Sequence, residues 1–195
     1  VKITHYFYSQ SNLGKELNTF RIPSDHSLET LENSSSSKFR HFWEAIFNSL
    51  QFLIEDKDVL DLYAGSGSLG IEALSRKAKF TTFVEKSKDC IGVLNNNLED
   101  IDNNYKVTNT SVETFIESSI NTYDIVFYDP PFELSSDFVS IEVKNIEKIL
   151  KNGSYVIIHR HKASVEIEFT KNYEIHRDKN YGQSKILILR KIWKF

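Results

Sequence analysis

The segment YDIVFYDPPFE at residues 123–133 combines residue types that suit the chemistry of an amine. An apolar run ends at Asp129, and Pro130, Pro131 and Phe132 follow it. Because proline has no backbone N–H, this turn presents carbonyl oxygens without competing donors. The Asp129 carboxylate and the Pro130 carbonyl are predicted to accept hydrogen bonds from a planar exocyclic amine, while Phe132 stacks on its base. Such acceptors hold the amine in line and stabilise the positive charge that develops as it attacks a sulfonium methyl group. A structural Asp-Pro turn is the alternative.

A glycine-rich segment, DLYAGSGSLGIE at residues 61–72, has the spacing G-x-G-x-x-G at Gly65, Gly67 and Gly70. Glycines here permit a tight turn and close approach of a ligand to the start of the next helix. Glu85 follows Gly65 at the end of the next predicted strand, where a carboxylate suits the hydroxyls of a ribose. A dinucleotide-dependent oxidoreductase is one interpretation of this pattern.

Asp61 argues against a dinucleotide, because a carboxylate just before the loop repels a pyrophosphate and attracts an ammonium group. S-adenosylmethionine (SAM) has a ribose and an ammonium group and no phosphate, and the transfer of its methyl group yields S-adenosylhomocysteine (SAH). SAM is therefore the predicted cofactor. A turn whose glycines serve only packing is the alternative.

The elements that must position these residues alternate along the chain from about residue 57. Strands are predicted at 58–64, 80–85, 105–110, 123–129 and 154–160, and helices at 68–78, 90–101, 112–119 and 138–151. This alternation predicts a mainly parallel sheet with helices on both faces. Residues 172–182 and 184–192 have no helix between them and are predicted to form an antiparallel strand pair. The predicted fold class is α/β, a Rossmann-like seven-stranded, mostly parallel sheet with an antiparallel C-terminal strand pair.

The first part of the chain has a different pattern. Residues 1–36 are predicted as an N-terminal extension, with a serine-rich loop at 32–37. Residues 37–195 are predicted as the catalytic domain. An apolar face of a helix follows the loop, formed by Phe39, Phe42, Trp43, Ile46, Phe47 and Leu50.

Composition narrows the class of protein. The single cysteine forms no internal disulfide, and no Cys/His group has the spacing of zinc ligands, so no metal is predicted. No apolar run is long enough to span a membrane and the N-terminus has no apolar signal core, so a cytoplasmic protein without a membrane partner is expected. A monomer is also expected. Residues 151–195 carry 10 Lys and Arg against 4 Asp and Glu, a charge that suits an anionic partner.

These motifs together resemble a known family. VLDLYAGSGSLGIEALSRKA, FVEKS, NNNLE and YDIVFYDPPFE are similar to the RsmD-like group of Rossmann-fold methyltransferases, and GKEL, EAIFNSL and YGQSKILILRK extend the resemblance outward. Its members are bacterial SAM-dependent enzymes that methylate the N2 amine of a guanine in small-subunit (16S) ribosomal RNA. The resemblance implies that activity here, with ribosomal RNA in a small-subunit particle as partner. The tetrapeptide alone does not choose guanine, because adenine-N6 and glutamine-N5 methyltransferases share it.

Residue roles also follow from the resemblance. It implies that Asp129, Pro130, Pro131 and Phe132 hold the target amine and that Ser111 lies near the adenine of SAM. The cofactor-binding set is Asp61, Tyr63, Ala64, Gly65, Ser66, Gly67, Gly70, Glu85, Lys86 and Ser111. The family's usual Arg-Pro-Thr segment before EAIFN is replaced here by SSSSKFRHFW. The resemblance also implies that residues 1–36 form an RNA-docking hairpin or loop. The RNA-binding candidates are Lys15, Arg21, Lys38, Arg40, Arg160 and Lys162, the last two on the rim after the fifth strand.

Two other functions remain open at this point. An adenine-N6 methyltransferase acting on DNA or RNA would use the same acceptor turn. A non-catalytic rRNA-binding assembly factor would have kept the fold, although intact Asp61, Glu85 and Asp129 argue against it.

Overall fold

The computed structural model describes residues 3–4, 18–19, 35–102 and 104–193. Its strands are β1 (Ile3–Thr4), β2 (Asn18–Thr19), β3 (Asp58–Leu62), β4 (Phe80–Glu85), β5 (Tyr105–Asn109), β6 (Tyr123–Tyr128), β7 (Leu150–His161), β8 (Tyr173–Tyr181) and β9 (Ser184–Lys191). Its helices are α1 (Ser35–Ile54), α2 (Ser68–Ser75), α3 (Lys88–Leu98), α4 (Val112–Ser118) and α5 (Ser136–Ile146), with a 3-10 turn at Glu147–Ile149.

Seven strands form one sheet in the order β5-β4-β3-β6-β7-β9-β8, and β1 pairs separately with β2. β3 runs parallel to both β4 and β6, and β7 continues the parallel set beside β6. β9 pairs antiparallel with β7 and with β8. The predicted fold class is confirmed. The strand order reverses between β3 and β6, and ligands of such sheets bind beyond the carboxyl ends of the strands at that point.

Helices cover both faces of the sheet, which explains why successive residues are buried in the central strands, Val59 and Leu60 in β3 and Ile125 and Val126 in β6. On one face lie α1, α2 and α3, with Trp43, Phe47 and Leu94 buried against the strands. On the other face lie α4 and α5, which bury Phe115 and Val143. The apolar face predicted for α1 is confirmed for the residues from Trp43 onward, and the side chains of Phe39 and Phe42 lie outside the described residues.

Serine caps begin three of these helices, two of them directly after β4 and β5 and the third after the DPPF turn. Ser87, Ser111 and Ser135 have extended backbones, and each side-chain oxygen accepts a hydrogen bond from a backbone N–H in the first turn. An acidic residue in the first turn of each helix adds a favourable interaction with the helix dipole. The sequence therefore fixes locally where each chain segment leaves the edge of the sheet.

Several predicted boundaries differ from the structure: α2 and α3 end at Ser75 and Leu98, three residues before their predicted ends, and two other elements differ as follows. α1 begins at Ser35, inside the serine-rich segment predicted as a loop. The helix predicted at 138–151 ends at Ile146, and β7 already begins at Leu150. The apolar spacing of Ile146 and Leu150 suits a helix, but pairing of Leu150 with Tyr123 of β6 extends the strand instead.

An ion-pair group secures the amino ends of the central strands. The Lys151 Nζ lies 2.7 Å from the Asp58 Oδ2 and 2.7 Å from the Asp124 Oδ2. Asp124 also accepts a hydrogen bond from the backbone N–H of Asp58 at 2.9 Å. These charges lie at the edge of the sheet opposite the predicted site. None of the described helices is both long enough and apolar enough to cross a membrane.

Candidate active site

The loops that follow β3, β4 and β6 meet at the carboxyl edge of the sheet, at the reversal of strand order. The β3 residues Asp61 and Leu62 pair with Phe127 and Tyr128 of β6. The glycine-rich loop and the DPPF turn are therefore direct neighbours, as the sequence predicts.

The three glycines of the loop have different roles. Gly65 has a φ of 55°, and a Cβ there would meet only one backbone oxygen, at 3.9 Å, so its face is open to a ligand. Gly67 has a φ of 83°, and a Cβ there would lie 2.2 Å from the Leu94 Cδ1. Gly70 lies in α2, where a Cβ would lie 2.2 Å from the Phe83 Cε1. Only Gly65 combines a left-handed backbone with open space, whereas Gly70 serves the packing of α2 on the sheet.

The Glu85 carboxylate holds two turns of the site together. Its Oε2 accepts a hydrogen bond from the Gly65 N–H at 2.9 Å, and its Oε1 accepts one from the Ser87 N–H at 2.8 Å. Each oxygen retains a further lone pair for a hydroxyl group. This arrangement suits the predicted grip on a ribose.

Asp61 lies beneath the loop and is 1% exposed. Its Oδ2 accepts a hydrogen bond from the Gly70 N–H at 2.8 Å. Burial raises the pKa of Asp61 well above its ordinary value, the Gly70 N–H lowers it, and the negative charges of Asp129 and Glu85 raise it further. Three carboxylates thus repel one another here, and a positively charged ligand relieves that repulsion. Contact of Asp61 with an ammonium group stays a prediction.

Tyr63 is fixed by a buried carboxylate on α5. Its φ is 59°, and its hydroxyl donates to the Glu142 Oε2 at 2.9 Å. The Tyr128 hydroxyl donates to the same oxygen at 2.5 Å, and Glu142 is 2% exposed. Burial and the neighbouring Glu142 raise the pKa of both tyrosines, so the hydroxyls stay protonated and donate. This group holds the start of the loop in a left-handed conformation that tyrosine rarely adopts.

The remaining predicted cofactor residues surround the same crevice. The Ala64 N–H donates to a β4 carbonyl, the Ser66 hydroxyl contacts that of Ser68 at 2.9 Å, Lys86 is exposed, and Ser111 caps α4. All four lie in the loops at the carboxyl edge. Their contacts with a cofactor stay predictions.

Asp129 projects from the end of β6 with its side chain 32% exposed. Its Oδ1 lies 2.8 Å from the Nδ1 of His159, and within the described residues its Oδ2 has no hydrogen bond. The Pro131 carbonyl accepts from the Leu134 N–H at 3.1 Å, whereas within the same residues that of Pro130 accepts no backbone hydrogen bond. Phe132 is 40% exposed. The turn therefore offers Asp129 Oδ2 beside an exposed ring, and the carbonyl of Pro130, a buried residue, stays a predicted second acceptor.

Comparisons with known proteins agree with this geometry. The family described as conserved hypothetical protein 95 matches residues 35–190. The chain belongs to this family. Ribosomal RNA small subunit methyltransferase D of Haemophilus influenzae is 33% identical over 144 residues, which cover 71% of this chain and 74% of that protein. The protein of the same name from Escherichia coli K12 is 31% identical over 141 residues, which cover 72% and 71%.

Solved structures share the fold of the present chain. The putative methyltransferase yhhF from Escherichia coli has a TM-score of 0.71 and 29% identity, covering 79% of this chain and 86% of that one. A putative methyltransferase, SMU.776, complexed with SAH, shares the fold with a TM-score of 0.66 and 16% identity, over 75% of this chain and 48% of that one. The predicted family and the prediction of a SAM-dependent methyltransferase are confirmed.

Five of the six cationic candidates for RNA binding are either exposed or outside the described residues, and the sixth, Arg160, is buried. Lys15 and Arg21, and the side chains of Lys38 and Arg40, lie outside the described residues. Lys162 is exposed just beyond β7. These five stay predictions.

Arg160 is not on an exposed rim, which corrects the expectation for it. It is 6% exposed, and its Nη2 donates to the Leu134 carbonyl at 3.0 Å. Burial lowers the pKa of its guanidinium group. Alternate residues of a strand face opposite sides, so Arg160 faces α5 whereas His159 faces α1. Arg160 therefore supports the turn after DPPF from within the protein.

His159 is a site residue that the sequence pattern did not identify. The HRHK segment suggests a metal site from its two histidines, but the sequence offers no third ligand. Among the described residues, no group of three or more His, Cys, Asp and Glu side chains is placed to hold a metal. A usable signal existed, because residue 159 lies in β7, which pairs with β6, and Asp129 directly follows β6. Parallel register alone places the two side by side.

Proposed function

We propose that the protein transfers the methyl group of SAM to the exocyclic N2 amine of a guanine in small-subunit ribosomal RNA. The observation that carries this proposal is the Asp129 acceptor at the DPPF turn, across the crevice from the glycine-rich loop. The names of the relatives supply the class of RNA, and the family resemblance supplies guanine.

SAM supplies a methyl group on a positively charged sulfur. The residues of the crevice fit such a molecule, because Gly65 leaves open space and three carboxylates gather negative charge around it. Glu85 binds the ribose hydroxyls, and Asp61 favours the ammonium group by its charge. Tyr63 and Glu142 keep the loop in the shape that the cofactor requires.

The chain's own residues then orient the amine. Asp129 Oδ2 and the Pro130 carbonyl accept its two N–H bonds, so its nitrogen lone pair points at the crevice that holds the cofactor. Positive charge develops on that nitrogen during transfer, and the two acceptors are already in place to stabilise it. The Phe132 ring, edge-on to His159 at 5.2 Å, offers its exposed face to the base. The amine proton leaves through Asp129 or water after transfer.

Base access requires that the target nucleotide leave its stack, which is easiest in an exposed part of the RNA. We propose that the substrate is RNA within a small-subunit particle, that a monomer acts on it in the cytoplasm, and that exposed lysines such as Lys162 contact its phosphates. The predicted division at residue 36, with an RNA-docking segment before it, is part of this proposal.

Methylation of unmodified small-subunit particles with labelled SAM, followed by mass spectrometry of the nucleosides, tests the proposal. We expect N2-methylguanosine. N6-methyladenosine would transfer the assignment to the adenine class, and absence of label with a protein that binds SAM would favour a non-catalytic assembly factor.

The Asp129→Ala variant tests the acceptor role. Loss of one stabilising group typically lowers kcat by about 100–1000-fold, and calorimetry should show unchanged SAM affinity. Glu133→Ala removes an exposed carboxylate from the same turn and is the matched control, expected to keep normal kcat. Normal turnover by Asp129→Ala would remove the DPPF turn from the reaction.

A further inference from the structure

His159 joins three adjacent strands through its two ring nitrogens. Its Nδ1 lies 2.8 Å from the Asp129 Oδ1 at the end of β6, and its Nε2 lies 2.9 Å from the Ser184 Oγ at the start of β9. The strand register produces this chain of contacts, because Tyr128 pairs with Ile158 one residue earlier.

The imidazole ring is held in a closed position. It is 3% exposed. The Trp43 ring of α1 meets it at 5.4 Å between centroids, with planes 79° apart, and the Phe132 ring meets it at 5.2 Å, 75° apart. The same imidazole thus contacts both the amine-binding carboxylate and the ring predicted to stack on the base.

We propose that His159 is a positioning residue for methyl transfer, which rests on the amine-binding role proposed for Asp129. Its Nδ1–H donates to Asp129 Oδ1 and fixes the rotation of the carboxylate. Asp129 Oδ2 then remains as the acceptor for the amine. The Ser184 hydroxyl donates to Nε2 and selects the tautomer that carries its proton on Nδ1.

This arrangement has a specific chemical consequence. A carboxylate at the end of a strand rotates about its terminal torsion with little resistance. Anchoring one oxygen directs the other, and it also prevents both oxygens from binding the same N–H of the amine. Small losses of alignment in a reacting pair cost about 100-fold in rate, so the anchor affects turnover rather than ground-state binding.

A pair of substitutions separates positioning from packing. The amide nitrogen of His159→Asn occupies the place of Nδ1 and still donates to Asp129. The longer side chain of His159→Gln places its amide near Nε2, keeps contact with Ser184 and leaves Asp129 Oδ1 without its donor. We expect His159→Gln to lower kcat about 10–100-fold, with the KM for RNA and the SAM affinity within about twofold of wild type. We expect His159→Asn to keep kcat within about threefold of wild type.

Equal kcat values for the Asn and Gln variants, whether both are normal or both are low, would overturn the proposal. A cycle with Asp129→Ala supplies the second criterion. If His159 acts through Asp129, His159→Gln should cause no further loss in the Asp129→Ala background, and an undiminished loss there would also overturn it. Full activity of Asp129→Ala alone would instead refute the proposed function of the turn, so the two failures are distinguishable.

Discussion

The packing of Gly70 against the sheet makes a quantitative prediction about the cofactor loop. In Gly70→Ala the new Cβ would lie 2.2 Å from the Phe83 Cε1, 2.8 Å from its Cζ and 2.9 Å from the Thr81 Cγ2. Carbon atoms in contact are ordinarily about 3.5–4.0 Å apart. Phe83 is fully buried, and its ring already contacts Tyr105 at 6.4 Å between centroids. The ring has no free space to enter, so α2 must move away from the sheet by more than about 1 Å.

The magnitude follows from two opposing effects. Overpacking of this kind costs typically about 1–3 kcal/mol, and a displacement this large places Gly70→Ala at the upper end. The better helix propensity of alanine offsets about 1 kcal/mol. We expect a net loss of about 2 kcal/mol in the free energy of unfolding, or a Tm lower by about 4–8 °C for a chain of this length.

Movement of α2 also predicts a functional effect. The Gly70 N–H donates to Asp61 at 2.8 Å, and the same helix begins directly after Gly67. Displacing it should therefore weaken SAM binding as measured by calorimetry.

Gly92→Ala is the matched control. Gly92 lies in α3, it is exposed, and a Cβ there would have no atom within 4 Å. The same chemical change should therefore raise stability by about 0.5–1 kcal/mol and leave SAM affinity unchanged. The reasoning is refuted if Gly70→Ala unfolds at the wild-type temperature and binds SAM normally.

Three further predictions concern buried or paired charges. Because burial raises the pKa of Asp61 above 3.8, the folded protein holds this proton more tightly than the unfolded chain, and stability is lost as pH rises through the folded pKa. The free energy of unfolding of Asp61→Asn should therefore exceed that of wild type by a margin that grows from acid to neutral pH. The same variant should bind SAM about tenfold more weakly. Lys151→Met leaves the carboxylates of Asp58 and Asp124 together without a cation, and urea unfolding should show a loss of about 1 kcal/mol that shrinks at high salt. Glu142→Ala removes the shared acceptor of two tyrosine hydroxyls and should cost about 1–3 kcal/mol per hydroxyl left unpaired, read from the shift of the urea midpoint.

The sequence predicts most of the fold because its local signals agree with one another. The strand at 80–85 consists of aromatic and β-branched residues up to Glu85 and is followed at once by the capping Ser87, and the structure has the same strand bounds. The end of α5 is not predictable in this way. Its apolar spacing continues into Leu150, and only pairing with β6 converts that residue to a strand.

The candidate site likewise has some features that the sequence predicts and others that depend on contacts between distant residues. The glycine positions and the DPPF turn are visible as local patterns, since each depends on the backbone conformation of a few consecutive residues. The environments of His159 and Arg160 are not visible in this way, because a basic HRHK segment at the end of a strand has the composition of an exposed segment. The Trp43 ring covers His159, and a hydrogen bond to the Leu134 carbonyl holds Arg160, so both side chains are buried.

Hydrogen bonding within the loops explains why this glycine-rich turn suits SAM rather than a dinucleotide. In a phosphate-binding loop, backbone N–H groups point at the ligand. Here the Gly65 and Ser87 N–H groups donate to Glu85, and the Gly70 N–H donates to Asp61. Two N–H groups of the glycine-rich loop are thus already bonded to carboxylates of the protein, whose charge also repels a pyrophosphate. A ligand that enters must instead bring hydroxyl groups and positive charge to those carboxylates, and SAM brings ribose hydroxyls, an ammonium group and a sulfonium.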